Sequence, residues 1–147
     1  MPTSPKADAL EMSRDCLGSR ARRLERVLTR IYDGVVREQG VTAAQVSMLV
    51  AIELGGPTNA AWVGRRLEIE KSTVSRNLAR LLSAGLVEDT DGLRVTARGA
   101  AMIRTCYPLW KQAQKQAQAL LGPEAAKFLS GIETNQRETK QREGERS

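Results

Sequence analysis

The chain has 147 residues, with 23 Lys and Arg against 17 Asp and Glu, a formal net charge of +6 and a pI near 9.8. That length holds one domain, or one domain with added dimerisation helices, and the charge favours a polyanionic partner. With no histidine and only two cysteines, 90 positions apart, Ser-His and Cys-His catalysis, His-containing metal sites and a Cys₄ zinc site are excluded, and a reducing compartment is the simple reading.

Residues 1–8 carry two prolines and small polar residues, which predicts a frayed end. One long helix is predicted over residues 10–38, where Leu17, Ala21, Leu24, Leu28, Ile31 and Val35 recur at three- and four-residue steps. Its other face carries Arg14, Arg20, Arg22, Arg23, Arg26 and Arg30. The plain reading of the stripe is packing within one subunit. The alternative is a dimerisation helix, because a small core cannot cover a helix of roughly 40 Å. Gly40 ends this helix. Thr42 and Gln45 then form a capping box, with Val41 and Val46 as a hydrophobic staple, and open a helix that runs through Leu49, Val50 and Leu54 to Gly55-Gly56.

Residues 58–67 form a second short helix, with Val63 and Leu67 four apart and Trp62 beside them. A few residues on, the stretch 70–87 reads as a helix at roughly 100° per residue. Val74, Leu78, Leu81 and Leu82 fall on an inward stripe. Ser72, Arg76, Ala79, Arg80 and Ser83 face outward, flanked by Thr73 and Ser75. A solvated surface helix usually mixes charge signs, but this outward face has no acid after Glu70. Small residues let a backbone approach closely, hydroxyls can donate to phosphates, and arginines can read guanine edges bidentately. The candidate DNA contacts are therefore Lys71, Ser72, Thr73, Ser75, Arg76, Asn77 and Arg80.

Gly85 stops the helix. Leu86-Val87-Glu88-Asp89, the turn Thr90-Asp91-Gly92 and Leu93-Arg94-Val95-Thr96 then read as a β-hairpin, so the pattern is a helix-turn-helix with a wing. Thr96 can cap a further long helix with the stripe Ile103, Tyr107, Trp110, Ala113, Ala117 and Leu120, which Pro108 should kink or divide. Gly122-Pro123 ends it and starts a last helix through Ala125, Phe128, Leu129 and Ile132. From Glu133 onward four basic and four acidic residues cancel, which predicts frayed helix or disorder. The longest apolar run, Met48 to Ile52, is far below the roughly 20 residues that span a bilayer, and the N-terminus has no apolar signal segment. A cytoplasmic protein with no membrane partner is expected.

Five motifs in order resemble the MarR family of winged helix-turn-helix transcription regulators. They are Gly40-Val-Thr-Ala-Ala-Gln45, Ser72-Thr-Val-Ser-Arg76, Gly85-Leu-Val87, Val95-Thr-Ala-Arg-Gly99, and Pro108-Leu-Trp110 with Ala113-Gln114. The resemblance covers about residues 16–132. It implies a mainly α fold with a small β-hairpin wing. The winged helix-turn-helix would span residues 40–98, the dimerisation region residues 1–38 and 99–139, and a charged tail residues 140–147. It further implies a homodimer on a near-palindromic double-stranded DNA operator, a repressor's role, no enzymatic activity and no cofactor or metal.

Two departures qualify it. The family's longer wing carries an Asp-x-Arg pair that is absent here, so Arg94, between Glu88, Asp89 and Asp91, is the nearest equivalent contact and the acidic wing should contribute less. Cys16 lies near the family's redox-sensing position but lacks the tyrosine partners, so it reads either as a redox residue or as an inert thiol. Cys106 reads as core. Family members often bind small anionic or aromatic effectors between the dimer helices and the winged core. For a small organic effector that implies lining by Arg30, Tyr32, Trp62 and Trp110, unless these rings merely pack the helix junction. A winged module that docks protein rather than DNA is the competing function.

Overall fold

The computed structural model describes the backbone of residues 4–144 and the side chains of residues 4–132. Its elements in order are α1 (Pro5–Asp15), α2 (Leu17–Val36), a 3₁₀ turn (Arg37–Gln39), α3 (Ala43–Gly55), α4 (Ala60–Leu67), α5 (Lys71–Ser83), β1 (Val87–Asp89), β2 (Leu93–Val95) and α6 (Ala97–Gly144). Mainly helical with one antiparallel hairpin, it is a winged helix-turn-helix core between long terminal helices.

The amino-terminal region differs from expectation twice. Residues 5–8 are not frayed: the Ser4 hydroxyl accepts from the Ala7 N–H at 3.2 Å and Pro5 opens α1, where its missing N–H costs nothing. The single helix expected over residues 10–38 is two, broken at Cys16, whose backbone is extended (φ −69°, ψ 108°). Gly18 and Ser19 follow, poor residues for a helix interior but good ones for a start, and the Cys16 Sγ caps the new helix by accepting from the Ser19 N–H at 3.4 Å. α1 buries none of its residues. The second half of α2 packs on α6, where the Tyr32 hydroxyl donates to Gln114 Oε1.

Between α2 and α3 the chain turns through Gly40 in the left-handed region (φ 76°), where a Cβ would strain the backbone. The expected capping box is present. Gln45 N–H donates to Thr42 Oγ1 at 3.2 Å, and Thr42 N–H donates to Gln45 Oε1 at 3.1 Å. Asp33 adds a third bond, accepting from the Ala43 N–H at 2.7 Å, so α2 itself holds the first turn of α3.

The core is aliphatic: Met48, Leu49 and Ile52 of α3, Val63 of α4, Val74 and Leu81 of α5, Leu86, Val87 and Leu93 around the hairpin, and Cys106 of α6. Leu82 departs from its expected inward place and is exposed. On α6 the buried line is Cys106, Ala113 and Ala117, with Met102, Ile103 and Leu109 partly covered. Tyr107, Trp110 and Leu120 of the same stripe are exposed in the single subunit. Pro108 does not divide the helix. Its own φ suits an α-helix, and α6 departs from helical torsions only at Gly122 (φ 79°, ψ 166°), before Pro123. The side chains of the expected charged tail, and residues 145–147 entirely, lie outside the described residues.

Candidate nucleic-acid interface

The helix-turn-helix is built from α4 and α5. Asn59 caps α4 by accepting from the Trp62 N–H at 2.9 Å. Thr58, expected inside that helix, instead exchanges two backbone bonds with Leu93 (2.8 and 3.2 Å), an isolated bridge that ties the start of α4 to the wing. Between α4 and α5 the chain passes through Glu68 in the left-handed region, with the Ile69 N–H donating to Gly64 O at 3.1 Å. A Cβ on Gly64 would lie 3.4 Å from both Ile69 O and Val74 Cγ2, so the two helices meet closely at that glycine.

α5 buries Val74 and Leu81 and turns the rest of its surface outward. Lys71, Ser72, Ser75, Arg76 and Arg80 are exposed, while Thr73 and Asn77 are half-buried. Asn77 Nδ2 donates to Thr73 O at 3.1 Å, which locks that amide against its own helix. Arg76 Nη2 reaches Thr73 Oγ1 only at 3.5 Å, a loose contact that leaves the guanidinium available. No ion pair engages Lys71, Arg76 or Arg80 among the described residues. Glu70 at the helix start makes no side-chain cap, so the first-turn N–H groups of α5 remain open to an acceptor.

The far end of α5 is fixed. Gly85 (φ 69°) takes the left-handed turn, its N–H donating to Leu82 O and the Leu86 N–H to Leu81 O, both at 3.0 Å. The Thr96 hydroxyl donates to Gly85 O at 2.6 Å and accepts from the Gly99 N–H at 3.0 Å, which ties α5, the wing and α6 together at one residue. In the hairpin Glu88 lies opposite Arg94, yet neither it nor Asp89 or Asp91 forms an ion pair with Arg94, which remains exposed among acids.

The four effector-lining candidates have separate surroundings within one subunit. Arg30 is exposed on α2, and Tyr32 bonds to Gln114, with burial raising its phenol pKa. Trp62 packs against Gly55, where a Cβ would come within 2.7 Å of the indole ring. Trp110 stacks on Tyr107 (centroids 6.1 Å apart, planes 15° apart), and Lys111 sits 4.7 Å from the Tyr107 ring centre. A cavity of about 380 Å³ lies elsewhere, at the corner between α3, α5 and α6, a position the sequence reading did not single out. Cys16 is partly exposed, and its pKa is lowered chiefly by the Ser19 N–H, while burial raises that of Cys106. No group of three Cys, Asp or Glu among the described residues is placed to hold a metal ion, and no helix among them is long and apolar enough to cross a membrane.

Residues 39–92 match a family model described as the MarR family. Over those residues the winged core is similar to the MarR family. Among solved structures, the chain is similar to the transcriptional regulator MosR of M. tuberculosis at 27% identity, covering 84% of this chain and 96% of that one with a TM-score of 0.72. It is similar in fold to a mutant MarR of E. coli complexed with operator DNA (21% identity, 86% and 96% covered, TM-score 0.72). BpsR of Bordetella bronchiseptica, whose DNA binding is regulated by 6-hydroxynicotinic acid, is similar at 20% identity (84% and 95% covered, TM-score 0.71). No curated protein sequence matches the chain. The MarR-type likeness extends beyond the winged core, since these structures cover the terminal helices as well.

Proposed function

We propose that the chain is a sequence-specific DNA-binding regulator that acts in the cytoplasm as a homodimer and represses a promoter by covering it. One observation carries this reading. The exposed face of α5 holds Lys71, Ser72, Ser75, Arg76 and Arg80 with no carboxylate among them and no intramolecular ion pair. In a major groove Arg76, nearest the centre of that face, would read a base edge. Ser72, Thr73, Ser75 and Lys71 would hold phosphates, aided by the open helix start. Asn77 would act through Thr73 unless it releases its backbone bond. Arg94, among uncompensated acids, would add little.

The dimer would use residues 1–38 and 99–139. α1 lies without a buried residue, Leu10, Met12 and Leu17 are exposed, and Tyr107, Trp110, Leu120 and Phe128 line the uncovered side of α6. Soluble monomers rarely leave so much apolar surface open. Two-fold symmetry then presents two copies of α5 to two half-sites of a near-palindrome.

A small organic effector would lower DNA affinity by favouring the wrong spacing of the two α5 helices, as BpsR's regulation by 6-hydroxynicotinic acid illustrates for a relative in fold. A second reading, control by oxidation of Cys16, draws support from its partly exposed thiol and lowered pKa. It is separated by comparing wild type with Cys16→Ser before and after peroxide: loss of DNA binding in wild type alone favours the thiol.

The function is tested by a gel shift on a duplex taken from upstream of the gene, at rising salt. A specific regulator retains a shift that excess unrelated duplex does not remove and that weakens steadily with salt. No shift at low salt overturns the reading and leaves the protein-docking alternative.

A further inference from the structure

α2 and the 3₁₀ turn after it carry six arginines, Arg20, Arg22, Arg23, Arg26, Arg30 and Arg37, and no lysine. Their surroundings divide them. Arg20 donates to Arg14 O and Arg22 to Ser19 Oγ. Arg23, Arg26, Arg30 and Arg37 are exposed, and none of these four forms an ion pair or a side-chain hydrogen bond with a described residue. At roughly 100° per residue the four fall within an arc of roughly 60°, on a ridge about 20 Å long. Neither carboxylate of α2 pairs with that ridge. Glu25 falls outside the arc and accepts from the Thr29 hydroxyl at 2.8 Å, and Asp33 is turned onto the Ala43 N–H at 2.7 Å.

The ridge is not the side that packs. Leu24, Leu28, Ile31 and Val35 are half-buried and lie roughly 140° round the helix from it. A two-fold dimer that closes on the apolar side leaves the arginines in water, and one that closed on the ridge would oppose like charges across its axis. Free guanidiniums on a rigid line fit phosphates in series. Each fork can take a phosphate bidentately, and Arg23 to Arg30 covers about 10 Å, the rise of about three phosphates on one strand. A bilayer is a poorer match, because Leu28, Ile31 and Val35, which would have to enter it, are already half-buried in the subunit. We propose that the arginine ridge of α2 is a second phosphate-binding face, which holds the backbone of duplex DNA outside the half-sites that α5 reads. It shares no residue with α5 and touches no base, so it adds affinity without sequence preference. The proposal rests on the DNA-binding reading. The phosphates belong either to the flanks of the same duplex or to a second duplex.

The test compares the full-length wild type with a triple variant, Arg23→Gln with Arg26→Gln and Arg30→Gln, and with the corresponding lysine triple. Binding is measured across a salt series on duplexes of about 20 and about 60 base pairs centred on the same upstream sequence. If flanks supply the phosphates, the glutamine triple binds the long duplex about ten-fold or more weaker, with a salt slope flatter by about two to three units, and binds the short one as wild type does. If a second duplex supplies them, bead-tethered short duplex captures a labelled short duplex through wild type and not through the glutamine triple. The lysine triple keeps the charge and should retain most of either effect.

A glutamine triple that matches wild type in both slope and capture overturns the proposal, while the DNA-binding reading stands. So does a glutamine triple that sediments as a smaller species than wild type, which would place the ridge in the dimer contact. Phosphatidylserine vesicles that bind wild type more tightly than the long duplex, through the same three arginines, overturn it as well. Wild type that binds neither duplex at low salt overturns the DNA-binding reading itself.

Discussion

Gly99→Ala should destabilise the fold by about 2 kcal/mol, although alanine is the better helix former. A Cβ at Gly99 would fall 2.0 Å from Leu86 O and 2.8 Å from Val95 Cγ1. The Leu86 peptide is pinned on both sides: its N–H donates to Leu81 O at 3.0 Å, and its carbonyl accepts from the Thr96 N–H at 3.1 Å. It cannot recede without loosening the end of α5 or the start of α6. Overpacking against backbone costs about 3 kcal/mol, offset by about 1 kcal/mol of helix propensity. Urea unfolding at fixed protein concentration should show an unchanged slope and a midpoint lower by about 1 M. Gly34→Ala is the internal control. A Cβ there meets nothing within 4 Å, so that variant should gain about 0.5–1 kcal/mol. A Gly99→Ala protein as stable as wild type would refute the close approach that anchors α5 to the wing and α6.

Thr42→Ala removes the reciprocal cap at the α2–α3 corner and should cost about 1 kcal/mol, read as a lower thermal midpoint, with Gln45 losing its fixed orientation. Deleting residues 1–15 should shift the protein toward monomer in sedimentation velocity and weaken DNA binding with it, because α1 buries nothing within its own subunit. A truncated chain that stays wholly dimeric would place the dimer contact on α6 alone. The Ser19 N–H stabilises the Cys16 thiolate, so its alkylation rate should reach half-maximum at a lower pH than that of an unstructured cysteine. Buried Cys106 should label only on unfolding.

Local chemistry was legible in the sequence wherever one residue type has one use. Thr42 with Gln45, Gly85 after α5, Asp91-Gly92 in the hairpin and Thr96 before α6 each declare a terminus, and each does so in the structure. Periodicity served less well where a stripe is wider than its partner. On α6 Cys106 was read correctly as core, but periodicity could not say that Tyr107 and Trp110 would be exposed within the subunit, because that depends on where α2 lies across the helix. The break at Cys16 falls just before Leu17, the first residue of the apolar repeat, so the repeat held no sign of it. Asp33 on the Ala43 N–H, Thr58 on the wing and the pairing of Arg80 with Arg98 at one cavity join residues about 10 to 35 positions apart, and a local reading does not reach them.

The central claim is that the outward face of α5 reads DNA. The most direct test is the affinity of Arg76→Ala and Arg80→Ala for the upstream duplex and for a scrambled one, across a salt series, with Lys127→Ala as a surface control. Loss of a base contact at Arg76 should cost about 1–3 kcal/mol on the upstream duplex and narrow its advantage over the scrambled one. Loss of a phosphate contact at Arg80 should weaken both duplexes alike and flatten the salt slope by about one unit. If both variants keep the wild-type circular dichroism spectrum and bind both duplexes as wild type does, α5 is not the reading helix.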